Sequence, residues 1–306
     1  MYQKYSNVSP SFLNEEVRCD YRVVTELKKV WAIQLELLSK FDEVCKANNI
    51  EYTIWAGTLL GAVRHHGYIP WDDDLDVAMT RENFEKLLKL EKNFKDPFFL
   101  QYALNDRKYF CEYARLRNSE TTGIIAWNNS KEYNNGIYID IFVLDGCPTG
   151  SFRTKKYLFK RKVFLSLLNS YYGKYPVKKT LKNKVKRILL FLGRHLYSYE
   201  RLYHLNNKNL SCFTKKTNKI GLLTHGLEFV KKYWCYKEDL LEMTEGDFEG
   251  LKVPMPKNYD QILKNMYGDY MSFPKVEERG QWHNNIITYN PDMPYIEYFL
   301  KNGTSK

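Results

Sequence analysis

No run of apolar residues in this sequence approaches the roughly 20 that a membrane-spanning helix needs. The longest, ILLFLG at Ile188–Gly193, is far too short. The stretch MYQKYSNVSPSFLNEE at the start has no apolar segment of the kind that directs secretion, so no leader is expected. The 6 cysteines form no C-x-x-C pair and no metal-like spacing. That argues against a zinc site or a disulfide framework and suits free thiols in a reducing compartment. Internal repeats and low-complexity tracts are missing as well. Acid is missing from one region in particular. Between Ser151 and Ile220 there are 19 Lys and Arg against the single acid Glu200, a local charge of +18. The remainder carries 28 bases and 35 acids, so the overall +11 averages a mildly acidic body with one intensely basic stretch.

What is present describes a folded chain. At 306 residues, 44% hydrophobic and 16% aromatic, it has material for one large domain or two small ones. Apolar residues three and four apart predict a helix over Val23–Asn48. Ile50–Trp55 reads as a strand, closed by Gly57-Thr58, with a short helix over Leu59–Arg64. Asp74–Met79 reads as a second strand, after which Thr80 caps a helix reaching Leu90. Strands are expected at Phe98–Tyr102, Tyr109–Arg117 and Gly136–Leu144, the last being the most apolar. Helices over Phe152–Tyr172 and Val177–Tyr203 fill the basic stretch, and a hairpin near Gly246–Val253 and a helix near Asn258–Tyr267 follow.

The chemistry concentrates in WAGTLLGAVRHHGYIPWDDDLDVAMT, Trp55–Thr80, where four aspartates fall within five positions. Carboxylates this close repel and raise one another's pKa unless something positive neutralises them. Side chains alternate along a strand, so Asp72, Asp74 and Asp76 share one face and Asp73 points the other way. Same-face neighbours lie about 6.6–6.8 Å apart, close enough to converge on one Mg²⁺ or on a metal pair. Asp140, between Ile139 and Ile141, is an acid inside an apolar strand and needs a positive partner. A Gly-Thr turn, a helix, an Asp-x-Asp strand and a later strand with a third Asp form a nucleotidyltransferase pattern. Its carboxylates hold metals on a diphosphate, while backbone N–H groups at Gly57 and Thr58 approach the phosphate oxygens.

GTLLGAVRHHGYIPWDDDLDVAM closely resembles the signature box of the LicD family, phosphocholine transferases related to the fukutin-type sugar–phosphate transferases. GIYIDIFVLDGCP and MYGDYMSFPKVEERGQWH agree with it, so that the likeness spans about Val23 to His283. The resemblance implies a nucleotidyltransferase-like α/β fold of the α+β kind: a mixed sheet with helices, a basic helical insert and a carboxyl-terminal cap. The corresponding boundaries are 1–150, 151–220 and 221–306, the last completing the active site. It implies that Asp74, Asp76 and Asp140 are the catalytic, metal-binding acids, with Asp72 an additional ligand and Mg²⁺ or Mn²⁺ the cofactor. Arg64 is placed to reach a phosphate, and Arg115 and Arg117, on one strand face, to pair with Asp140 or a donor phosphate. His65 is favoured over His66 beside the turn. Arg279 and His283 match the tail box, which commonly has His-His where this chain has Trp282-His283, so Asp140 or Asp76 stays open as general base.

The implied reaction moves a phospho-alcohol, phosphocholine from CDP-choline, onto a hydroxyl of a cell-surface glycan or lipid-linked oligosaccharide, releasing CMP. The alternatives are phosphoethanolamine, aminoethylphosphonate or a polyol phosphate from a CDP or CMP donor, or a non-catalytic relic that binds membrane or polyanion. In the insert, Leu181, Val185, Ile188, Leu189 and Leu192 form an apolar stripe flanked by lysines. An anionic membrane surface is the partner expected for it, ahead of plain solvated helices or nucleic acid. The expected location is the cytoplasm, peripheral at the inner face of the cell membrane.

Overall fold

The computed structural model describes residues 4–106, 108–126, 130–172, 180–280 and 286–303. A short hairpin, β1 (Glu16–Arg18) with β2 (Tyr21–Val23), leads into helix α1 (Thr25–Ala47). The helix forms where apolar residues recur at three- and four-residue spacing, and it buries Val30, Trp31, Leu38, Phe41, Val44 and Cys45. Then come β3 (Thr53–Ile54), α2 (Ala56–His65), β4 (Asp76–Thr80) and α3 (Arg81–Leu88). Thr80 caps α3, its Oγ1 accepting the Asn83 N–H. Strands β5 (Phe98–Gln101), β6 (Ala114–Asn118), β7 (Thr122–Ile125) and β8 (Ile137–Gly146) follow. The basic stretch holds α4 (Ser151–Tyr171), α5 (Leu181–Leu196) and α6 (Tyr199–Leu210). Beyond it lie β9 (Lys219–Gly221), α7 (Leu227–Val230), β10 (Trp234–Tyr236) and the hairpin β11 (Met243–Phe248) with β12 (Leu251–Pro256). Helix α8 (Tyr259–Tyr267), β13 (Ile286–Asn290) and α9 (Tyr295–Asn302) close the chain.

Strand β8 is the spine, and every residue in it is buried. One edge pairs in parallel with β4, setting Asp76 opposite Asp140. The other edge is shared: its first half runs antiparallel to β6, with Arg115 opposite Asp140, and its last two residues pair with β9. Strands β3, β5 and β10 extend the sheet beyond β4, β6 and β9, giving the expected mixed α+β architecture. Alternation along β8 sends Ile137, Ile139, Ile141 and Val143 into the main core, with α1 packed against the strand. Tyr138, Asp140 and Phe142 face the other way, into a cavity. Strand β13 returns to pair with β7.

Local departures from the sequence expectations bear on the site. Helix α2 starts at Ala56, so Gly57 and Thr58 belong to its first turn and are not a turn ahead of it. Strand β4 starts at Asp76, leaving 72–75 ahead of the ladder, where strict alternation does not hold. The helix expected over Val177–Tyr203 is two helices among the described residues, because the Ser198 hydroxyl accepts the Arg201 N–H and starts α6 afresh. Strand β9 straddles residue 220 and joins β8, so the main sheet is completed by chain beyond the basic helices. Helices α4 and α6 share a small core with Ala103 built from Leu168, Leu202 and Tyr203. Of the apolar residues of α5, Leu190 alone is buried. Among the described residues, no helix is long and apolar enough to cross a membrane.

Candidate active site

The register of three strands lays Asp76, Asp140 and Arg115 in one row across the sheet. The Arg115 Nε donates to Asp140 Oδ1 at 2.6 Å, supplying the positive partner that an acid inside an apolar strand requires. The acidic segment ahead of β4 is pinned from behind by α1. Trp31 Nε1 donates to the Asp72 carbonyl at 2.9 Å, and Gln34 Nε2 to the Asp73 carbonyl at 2.7 Å. Thr58 faces the protein interior, where its Oγ1 accepts the Asp76 N–H at 2.8 Å. Its role is therefore to fix the backbone that carries Asp76. At Gly57 a Cβ would come within 2.9 Å of Asp72 Oδ2, so glycine is what lets that carboxylate lie against the first turn of α2. Ala56, just before it, holds φ at 46°, a left-handed value that costs a non-glycine residue about 1 kcal/mol.

These residues open on one cavity of about 800 Å³. Asp72, Asp74, Asp76 and Asp140 line it together, as does Asp73, which alternation alone would have turned away. Burial, and after it the charges of Asp72, Asp76, Asp73 and Asp140, push the Asp74 carboxyl well above the usual carboxylate range. Burial, then Asp140 and Asp72, push Asp76 the same way against the pull of Arg115. Much of the remaining lining is aromatic, including Trp71, Tyr113, Phe142, Phe229, Tyr233 and Phe273.

Not every expected residue reaches this space. Arg64 lines it, held at the rim by the Tyr270 and Ser272 carbonyls at 2.7 and 3.1 Å. Arg117 shares the face of Arg115 but not its outlet. It is buried beyond Tyr138, whose ring centre lies 4.7 Å from its guanidinium, and it donates to Gln101 Oε1 and the Gly136 carbonyl. Arg279 sits on the Trp71 ring at 4.6 Å and donates to the Cys19 and Pro274 carbonyls, tying tail to amino terminus. His65 stacks on Phe273 and accepts the Arg64 Nε–H at 2.9 Å. Burial, then Arg64, lowers its pKa to about 4. His283 and Trp282 lie outside the described residues. Sequence reasoning missed His225, the one histidine lining the cavity among the described residues. It stacks on Tyr113 at 5.5 Å, and burial lowers its pKa although Asp140 opposes the shift. Nothing in THGLEF marked it, since only the fold carries that loop to the acids.

The donor set suits a hard divalent cation: carboxylate oxygens lining one cavity, two of them raised in pKa by burial and then by crowding. In the conformation seen, no three His, Cys, Asp or Glu side chains among the described residues are already grouped as a ligand set. Asp140 leans on Arg115, and Asp72 Oδ1 accepts the Asp73 N–H at 3.2 Å.

The class of the domain comes from comparison with known families. Residues 49–188 match the model described as LicD/FKTN/FKRP, nucleotidyltransferase domain. Over 264 residues the chain is 27% identical to the lipopolysaccharide cholinephosphotransferase LicD of Haemophilus influenzae, covering 84% of this chain and 96% of that one. It is 36% identical over 114 residues to an uncharacterized protein of Rickettsia prowazekii, covering 37% and 39% of the two chains. A Rickettsia typhi protein, also uncharacterized, matches at 40% over 75 residues, or 24% and 23%. Residues 49–188 are thus a LicD-family nucleotidyltransferase domain, running through α4 into the first half of α5.

Proposed function

We propose that this protein transfers phosphocholine from CDP-choline to a hydroxyl of a cell-surface glycan or glycolipid precursor and releases CMP. The observation that carries the reading is the Asp76–Asp140–Arg115 row opening, with Asp72 and Asp74, on an aromatic-walled cavity. Asp72, Asp74, Asp76 and Asp140 would hold Mg²⁺ or Mn²⁺, which supplies charge neutralisation for a diphosphate and a developing leaving group. The protein's own part is positional. Thr58 fixes the Asp76 backbone, α1 fixes that of Asp72 and Asp73, and Arg115 aims Asp140. Arg64 stands at the rim as a phosphate contact. The acceptor proton has Asp76, Asp140 and His225 as receivers along the cavity wall.

The aromatic walls support choline as the head group. Choline is a quaternary ammonium with no N–H to donate, and such a cation binds aromatic faces. Of the aromatics near the signature boxes, Trp71 and Tyr113 line the cavity, whereas Trp55 and Tyr68 are core. Trp127 lies outside the described residues. A primary ammonium would instead use carbonyls and acids for its three N–H groups. CDP-choline is expected to yield CMP at least about tenfold faster than CDP-ethanolamine with a suitable acceptor, about 1.4 kcal/mol of discrimination. Equal rates, or faster release from CDP-ethanolamine, CDP-glycerol or a CMP-linked phosphonate, would reassign the head group and leave the acidic site standing.

The same reading places the enzyme at an anionic membrane surface. It is supported by α5, where Leu181, Ile188, Leu189 and Leu192 are all more than half exposed among lysines. The protein is expected to sediment with phosphatidylglycerol-containing vesicles at low salt and to be released as ionic strength rises. Reversing Lys184, Lys186 and Arg187 to Glu weakens that binding without changing CMP release in solution. Equal binding to neutral vesicles would count against it.

A further inference from the structure

Elsewhere in the molecule, several lysines pair with acids close by in the sequence. Lys40 pairs with Glu43, Lys46 with Asp42, Lys86 with Glu82, Lys231 with Glu228, Lys252 with Asp247 and Lys264 with Asp260. The groove between α4 and α6 instead gathers basic residues with no acid in its lining. Arg153, Lys156 and Lys160 from α4 meet Lys208 from α6 and Lys216 just beyond it around a space of about 480 Å³. No acid lines that space, and none of the five forms an ion pair with another described residue. The floor is not polar either, for Phe164, Leu205 and Phe213 close it. A site built this way holds positive charge against an apolar wall and leaves the neutralising anion to come from outside.

The periodicity of α4 says what kind of anion. With 3.6 residues per turn, Arg153, Tyr157, Lys160 and Phe164 form the stripe that lines the groove. Phe152, Lys156, Phe159 and Val163 form the stripe beside it. Phe152 is 80% exposed and Phe159 is 69% exposed. Two bare phenylalanines alongside unpaired cations suit a headgroup–acyl boundary, where the rings leave water and the lysines meet phosphate. Nucleic acid would use the cations but gives no reason for exposed rings on the neighbouring stripe of an α-helix.

We infer that the α4–α6 groove is a binding site for the phosphate headgroup of an anionic membrane lipid, with Phe152 and Phe159 as the residues that enter the bilayer boundary. The inference rests on the membrane reading above and adds to it a site separate from α5. Basic residues near an anionic leaflet act nearly independently, so Lys156→Glu with Lys160→Glu and Lys208→Glu should lower partitioning onto phosphatidylglycerol-containing vesicles about a hundredfold or more. The milder Lys156→Gln with Lys160→Gln guards against misfolding and should lower it in the same direction, with the melting temperature unchanged. In the full-length protein carrying Phe152→Trp, the new indole should be quenched by nitroxide-labelled lipid in such vesicles and not in solution. An α5 variant, Leu189→Ser with Leu192→Ser, serves as the comparison. If it abolishes partitioning while the groove variants bind like wild type, the groove assignment falls and the membrane reading stands. If the wild-type protein ignores anionic vesicles, both fall. Tighter binding to duplex RNA than to vesicles, lost in the groove variants, would replace lipid by nucleic acid.

Discussion

Replacing Asp76, Asp140 or Asp74 by Asn is expected to reduce CMP release to below about a tenth of wild type at saturating Mg²⁺, more than about 1.4 kcal/mol of barrier. Any of the three that keeps more than that is not a core ligand, and full activity in excess chelator would remove the metal from the proposal. Asp74→Asn should not harm the fold, whereas Asp140→Asn also takes the carboxylate from the buried Arg115, so its CMP release is read per folded molecule. Asp74 and Asp76 are held above the ordinary carboxyl value of 3.8 by burial and by each other's neighbours. A raised folded-state pKa means stability that is fully present below the unfolded value and is lost as pH rises through the folded one. The metal-free protein therefore melts higher when pH is lowered from neutrality toward about 5, until carboxylates with depressed values, such as Glu16 and Asp292, begin to titrate. Asp74→Asn should raise the metal-free melting temperature at neutral pH and flatten that dependence, and a calorimetric pH series reads both.

Arg81→Met should produce the largest loss of stability of any single change considered. Arg81 opens α3 and makes a two-pronged pair with Asp145 near the end of β8, at 3.1 and 2.5 Å. The side chains are 6% and 0% exposed. Removing one partner strands a buried charge, which costs about 3–5 kcal/mol. That corresponds to a fall on the order of 10 °C in melting temperature for a chain of this size. Replacing both partners, Arg81→Met with Asp145→Leu, should recover most of the loss. Neither residue lines the catalytic cavity, so CMP release per folded molecule should persist in the double variant. A single variant that melts like wild type would show that the pair contributes little.

Asp76 and Asp140 were legible in the sequence because acids inside apolar strands are costly, and Asp74 because four acids crowd into five positions, although the parity expected of it does not hold ahead of β4. Arg115 was legible as the positive partner that Asp140 needs. Parity gives the face of a strand but not the depth along it, and that is why Arg117 was grouped with Arg115. The ladder sets it opposite Tyr138, one step beyond the cavity. Thr58 and Gly57 were recognised as important for their backbone N–H groups. What the sequence did not show is that the Thr58 hydroxyl also takes the Asp76 amide and that Gly57 makes room for the Asp72 carboxylate, in an α2 that begins earlier than periodicity suggests, at an alanine in the left-handed region. No local rule predicts that conformation for alanine. His225, Phe229 and Tyr233 were invisible for another reason. They lie in a loop, a short helix and the turn after it, with no spacing to read, and reach the acids only through the pairing of β9 with β8. Ser198 was the readable signal that was passed over, a cap residue inside what looked like one continuous helix.

Strands β4 and β8 are separated by more than fifty residues of chain, and their alignment sets Asp76 against Asp140 as the sheet closes. Most nascent sheets zip downhill once their apolar faces meet. Here the central seam sets one carboxylate beside another, so forming the ladder carries an electrostatic cost that apolar burial has to offset. Arg115, arriving on the far side of β8, relieves only part of it. A proton taken up at Asp76 would ease that seam, so the residues proposed for chemistry also bear on how firmly the two strands hold together.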